Sequence, residues 1–213
     1  DDGTLYAFML INSEGHRINN AGGLQVREDW LEKLGLSLPN NIQELEDVLV
    51  AIRDGDPNGN GQADELPFVG MIDDVKKLLR TFGVDYGMSV QDDKVVYGPI
   101  TPEYKEYLET MRSWYEQGLL DPEYVVTDGT SKKAKITGDL GGVYWGLLGA
   151  DMGTYMAAKA DDPEFDLNGI PPLQSDDGKR YAYRTPYCPG DGTAITTACE
   201  YPEVATRWLD YAY

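Results

Sequence analysis

The stretch "RDGDPNGNGQADELP", Arg53 to Pro67, sets oxygen-bearing side chains at every second position: Asp54, Asp56, Asn58, Asn60, Gln62 and Asp64, with Glu65 closing the run. Glycines stand between them. Calcium takes about six to eight oxygens at roughly 2.3–2.6 Å, and a short loop supplies them only where side chains converge and the backbone turns sharply. Two registers meet that demand. In the first, Asp54, Asp56 and Asn58 lead, Gly59 turns the chain, Asn60 offers its carbonyl and Glu65 ends the loop, an EF-hand pattern. In the second, Asp56, Asn58 and Asn60 lead, Gly61 turns, Gln62 gives its main-chain carbonyl, and Asp64 with Glu65 closes. Asp56, Asn58, Asn60 and Glu65 serve in both. The competing reading is an Asn/Asp/Gly turn satisfied by its own hydrogen bonds.

The elements around the loop must hold it. Asn41 begins a helix whose first turn carries Glu44, a capping-box pattern, and Ile42, Leu45, Val48, Leu49 and Ile52 then share one face. That helix delivers the chain into the loop. Upstream, "LYAFMLI" (Leu5 to Ile11) and "LQV" (Leu24 to Val26) predict strands, and "REDWLEKLG" predicts a short helix stopped by Gly35. Downstream, "DDVKKLLRTFG" predicts a helix to Gly83, and "DKVVYG" a strand at a tight turn. Thr101 and Pro102 open a helix that runs to Gln117 before Gly118, with Tyr104, Leu108, Met111 and Tyr115 as its apolar stripe. "GDLGGVYWGLLG" predicts a strand whose end exposes Tyr144 and Trp145, "SDDGKRYAYR" a polar hairpin, "TAITTA" a strand, and Pro202 the start of a last helix. Trp30, Trp114 and Trp208 are expected to pack. Helices and strands intermix without a repeat or a dividing linker, so residues 1–213 read as a single domain of α/β class.

Thirty-seven acidic against eighteen basic residues give a net charge of -19. Such a chain repels phosphate backbones and anionic lipid, which excludes nucleic acid as a partner. No apolar run approaches the roughly 18 residues of a membrane span, so this segment does not insert. The chain opens at "DDGTLYAF" without an initiator Met or a leader pattern, and its last helix lacks a cap; it reads as a piece of a longer chain. Cys188 and Cys199 match no zinc or redox spacing and are two thiols or one disulfide.

The order "LYAF", "REDWLEKLGL", "PNNIQELEDVLVAI", "DPNGNGQADELPFVG", "ITPEYKEYLETMRSWYEQGLLDPEY" and "TAITTACEYPEVATRWLDYAY" resembles extracellular solute-binding proteins of ABC importers. The likeness is to the oligosaccharide-binding, lipoprotein-type members, which include the alginate-binding proteins. It implies two α/β lobes, each a mixed sheet flanked by helices, that close on a sugar about a hinge of crossing strands and deliver it to a membrane permease. This chain would be mostly the second lobe, with the first lobe and a lipidated N-terminus lying outside it. The resemblance also implies the second calcium register: Asp56, Asn58, Asn60, the Gln62 carbonyl, Asp64 and Glu65.

Sugars are held by flat apolar faces under their rings and planar polar groups at their hydroxyls. Trp145 and Tyr144, beside Gly141, Gly142 and Gly146, fit that need. Asn12 and His16 in the loop after the presumed hinge strand, and Tyr187 with Asp191 in "YCPGDGT", are further candidates. Two competing classes are a glycosidase using paired acids and a calcium-stabilised cell-surface carbohydrate-binding module. No Ser-centred elbow or phosphate loop occurs and there is one His, which argues against metal hydrolase or triad chemistry, and no acidic pair stands out; the resemblance implies a binding component and not an enzyme. Turnover of an oligosaccharide would separate the enzyme from a binding component.

Overall fold

The computed structural model describes residues 7–9, 22–91, 93–182 and 192–211. The chain divides into two compact units: Asp1–Asn20 with Tyr183–Tyr213, and Ala21–Ala182. The first described element of the smaller unit is β1 (Phe8–Met9), inside the expected Leu5–Ile11 strand.

The larger unit runs β2 (Gly22–Arg27), α1 (Glu28–Leu34), α2 (Ile42–Gly55), β3 (Leu66–Phe68), α3 (Ile72–Lys77), β4 (Met88–Gln91), β5 (Lys94–Tyr97), α4 (Pro102–Glu116), α5 (Gly129–Thr137), β6 (Gly141–Leu147), α6 (Gly153–Ala158) and β7 (Leu167–Gly169). Local signals set the helix ends. Glu28 and Asp29 sit in the first turn of α1, where the positive end of the helix dipole favours them, and Gly35 ends it in the left-handed region at φ 68°. Asn41 Oδ1 accepts the Glu44 amide at 2.8 Å. Glu44 reaches back one residue beyond the expected cap and accepts the Asn40 amide, also at 2.8 Å. Thr101 Oγ1 accepts the Tyr104 amide at 3.3 Å, with Pro102 in the first helical position where no amide is missed.

Four strands form a mixed sheet in the order β3-β6-β2-β7, with β2 antiparallel to both neighbours and β3 parallel to β6. Its two faces are covered by different clusters. Val26 and Val143 pack with Trp30, Leu45, Leu49, Ile52 and Trp114 from α1, α2 and α4. Tyr144 faces the other way with Ile136, Tyr155 and Phe165. Burial on both sides explains why β6 reads "GGVYWGL", a continuous run without polar alternation. The glycine at 142 reflects a close approach: a Cβ there would sit 2.8 Å from Ile52 Cδ1 of α2.

In the smaller unit β8 (Gly192–Thr193) pairs antiparallel with β1, and α7 (Pro202–Asp210) follows.

Several expectations change. The helix after the loop is α-helical only to Lys77 and tightens into a 3-10 turn over Leu78–Phe82 before Gly83. The ladder in "TAITTA" is confined to Thr193 and its neighbour Gly192. Helices α5 and α6 were not anticipated, although Asp128 caps α5 by accepting the Ser131 amide at 2.8 Å. On α4 the buried line is Tyr107, Met111 and Trp114, while Leu108 and Tyr115 are about half exposed; the stripe lies one position further round. Trp30 and Trp114 are fully buried as expected, but Trp208 is 75% exposed beside Val204 on α7. Spacing identifies which residues share a face, and says nothing of what covers it. Cys199 is a free, half-buried thiol, and Cys188 lies outside the described residues.

Candidate functional site: an acidic corner after α2

The corner begins where α2 stops. Asp56 takes a left-handed conformation at φ 48°, and Gly59 and Gly61 follow at 72° and 74°, so the chain coils tightly. Asp56 organises the turn: its carboxylate accepts the Asn60 amide at 3.1 Å and the Gly61 amide at 3.0 Å. Asn58 Oδ1 accepts the Asn60 amide at 2.9 Å, and Asn60 Oδ1 accepts the Gln62 amide at 2.7 Å. The amide groups of Asn58 and Asn60 both donate to the Asp64 carboxylate at 3.1 Å. Asp54 takes no such part, because Arg53 grips its carboxylate with two hydrogen bonds of 2.7 and 2.9 Å.

Glu65 is the exception. It is 8% exposed, and neither carboxylate oxygen has a hydrogen-bond partner. Burial first, then the charges of Asp56 and Asp64, raise its carboxyl above the ordinary range. A buried carboxylate without partners, with the charges of two more acting on it, is unfavourable unless it takes up a proton or a cation joins them. A hard divalent cation is what such an oxygen set fits. Among the described residues no three His, Cys, Asp or Glu side chains group closely enough to hold a metal alone. The corner would therefore depend on amide and main-chain oxygens as well as carboxylates.

The corner is tied to the sheet. Asn58 Nδ2 donates to the Asp139 carbonyl at 3.1 Å, and the Leu66 amide donates to the Leu140 carbonyl at 2.7 Å, immediately ahead of β6. At the other end of β6, Trp145 is half-buried with the Lys77 ammonium 3.3 Å from its ring centroid. A Cβ at Gly22 would lie 2.5 Å from the indole, so this glycine lets the ring rest on the backbone of β2. Lys132, itself buried, donates to the Trp145 carbonyl at 3.0 Å and pairs with buried Asp74 at 3.3 Å.

Tyr144 corrects the expectation. Adjacent strand residues point to opposite faces, so its ring is fully buried against Tyr155 at 5.6 Å and offers no surface to a ligand. Asn12, His16, Tyr187 and Asp191 lie outside the described residues.

Sequence reasoning missed the buried ion pairs. Arg27, 4% exposed, binds Asp29 through two hydrogen bonds of 2.7 and 2.8 Å and Asp139 at 2.7 Å, its guanidinium lying between Trp30 and Phe165. The partners of the longer bridges are remote in sequence, and no local pattern announces them.

A mixed sheet flanked by helices is the fold of one part of the two-lobed solute-binding proteins, and the chain is a homologue of the substrate-binding proteins of ABC transporters. No protein-family model matches it. It is 31% identical, over its whole length, to the fructooligosaccharide ABC transporter substrate-binding protein FusA of Streptococcus pneumoniae serotype 4, of which it spans 40%. Its fold matches the alginate-binding protein AlgQ2 without calcium ion at a TM-score of 0.82 and 26% identity, covering 99% of this chain and 44% of that one. It matches an EF-hand mutant of S. pneumoniae FusA in complex with fructo-nystose at 0.78 and 28% identity, covering 100% of this chain and 44% of that one. The chain thus spans less than half the length of these relatives. Among the described residues no helix is long and apolar enough to cross a membrane.

Proposed function

We propose that residues 1–213 form the second lobe of a non-catalytic, carbohydrate-capturing component of an ABC importer, with a structural calcium ion held by Asp56, Asn58, Asn60, the Gln62 carbonyl, Asp64 and Glu65. The single observation that supports the carbohydrate reading is the whole-length similarity to FusA, a fructooligosaccharide-binding protein. Glu65 supports the ion, because its two buried oxygens lack partners. The second register is favoured, since Asp56 gathers the loop amides while Asp54 is occupied by Arg53. When bound, calcium would supply the positive charge that lets three carboxylates share one corner. The calcium ion named for AlgQ2 and the EF-hand named for FusA support a cation-binding loop.

Capture proceeds by hinge closure. A sugar that touches both lobes only in the closed state shifts the population toward it by that difference in affinity. Trp145 is the aromatic contact proposed for this lobe, with Asn12, Tyr187 and Asp191 as further contacts. The component works outside the cell, tethered by a lipidated N-terminus, and hands the sugar to a membrane permease. The test is a thermal-shift screen of the intact protein against mono- and oligosaccharides. A saccharide should raise the melting temperature without being turned over, and Trp145→Ala should abolish the rise without unfolding the protein. Hydrolysis of the saccharide would reject the binding component in favour of an enzyme.

A further inference from the structure

A cavity of about 520 Å³ opens in the Ala21–Ala182 unit, between the start of α4, the turn after Leu78–Phe82 and the hairpin turn at 174–181. Trp145 does not line it. Its apolar wall holds two fixed rings. Phe82 packs edge-on against buried Tyr107 with centroids 5.7 Å apart. Tyr181, 37% exposed, rests on Gly83, where a Cβ would come within 3.2 Å of its ring, and its hydroxyl donates to Asp177 at 2.7 Å. Asp177 also accepts the Ser175 hydroxyl and the Lys179 amide, so the turn that carries Tyr181 is pinned.

Four carboxylates, Glu103, Glu106, Asp176 and Asp177, edge the cavity together with Lys179, whose ammonium lies 3.5 Å from Asp177. Three features select the ligand. The volume lies within the range of small-molecule sites, about 300–1,000 Å³. Rings set beside acceptor-only carboxylates suit a molecule with one apolar face and many hydroxyl donors. The excess of negative charge repels uronates and other anions. As at the acidic corner, no three acidic groups among the described residues gather here closely enough to hold a metal ion alone, and this cavity offers no buried carboxylate without a partner.

We propose that this cavity binds one ring of a neutral saccharide, with Tyr181 and Phe82 against its apolar face and Glu103, Glu106 and Asp176 accepting from its hydroxyls. The proposal rests on the carbohydrate reading above, and assigns it a contact surface that Trp145 does not supply.

The test uses the whole chain, with isothermal titration and amide-exchange mapping against fructo-nystose, maltotriose and cellotriose, and with digalacturonate and spermidine as charged counterparts. At least one neutral sugar should protect segments 81–84 and 174–181. Tyr181→Ala and, independently, Glu106→Gln, an exposed position that leaves the fold intact, should each weaken it about tenfold. Digalacturonate should not bind there. Protection of those segments by spermidine alone, or by digalacturonate, overturns the assignment. Neutral-sugar binding that both variants leave unchanged overturns the cavity while sparing the carbohydrate reading, whereas no binding of any saccharide overturns both.

Discussion

Glu65 and Asp74 are both acidic and both buried, 8% and 1% exposed, yet they are resolved in opposite ways. Asp74 has two built-in cations, Lys132 at 3.3 Å and Lys77 at 3.1 Å, and it also accepts the Met71 amide at 3.1 Å. Glu65 has none of this, and its neighbours Asp56 and Asp64 add to its charge. Arg27, Asp29 and Asp139 repeat the first solution. Where the chain supplies its own counter-charge, a buried carboxylate is architecture. Where it leaves one unmatched next to others, the carboxyl must either hold a proton or be met by a bound cation.

The contrast can be broken from either side. Replacing Arg27 by Met should have the largest effect, because it strands Asp29 and Asp139; urea unfolding should show a loss of about 3–5 kcal/mol. A loss under 1 kcal/mol would mean these pairs are not structural. Calcium comes next. At a hundredfold excess over its dissociation constant it should stabilise the protein by about 2.7 kcal/mol, chelator should reverse this, and Asp56→Ala should abolish the response. A melting temperature indifferent to calcium would remove the distinction between the two kinds of carboxylate.

A smaller effect carries a sign. Because the Glu65 carboxyl is raised in the folded protein, the stability it contributes is present below the unfolded carboxylate range and is lost as pH rises through the raised value. In chelator, Glu65→Gln should therefore exceed the wild type by about 1 kcal/mol at neutral pH, and the two should converge on acidification. In calcium the order should reverse. Equal curves in chelator would mean that Glu65 carries no unmatched charge. A change of the same size, about 1 kcal/mol, is expected of Asn41→Ala, which removes the cap of the helix that feeds the corner and should cost this much with or without calcium.

The two solutions differ also in how far they can be read from sequence. The corner and its helix are contiguous: cap, apolar face, alternate oxygens and turning glycines follow one another within residues 41–65, and each is governed by neighbours a few positions away. Arg27 and Asp139 are 112 residues apart, and Asp74 and Lys132 are 58 apart. Their meeting is decided by how β2, α3, α5 and the turn before β6 assemble, which no local rule encodes. Tyr144 and Trp145 show the same limit within one strand. An aromatic pair in a glycine-rich run invited one role, but the pleat sends the first ring into the core and leaves the second half-exposed. On α4 the register of the buried face was decided by its neighbours, which took Tyr107 and Trp114 in place of Leu108 and Tyr115.

Asp139 joins the two regions. Its side chain bridges Arg27 and Lys159, each at 2.7 Å, while its main-chain oxygen receives Asn58. One residue is thus the mooring point for both the acidic turn and the ionic lattice. Slackening the turn should be felt first at this knot, as faster solvent exchange of the Leu66 amide beside it, well before the sheet itself gives way.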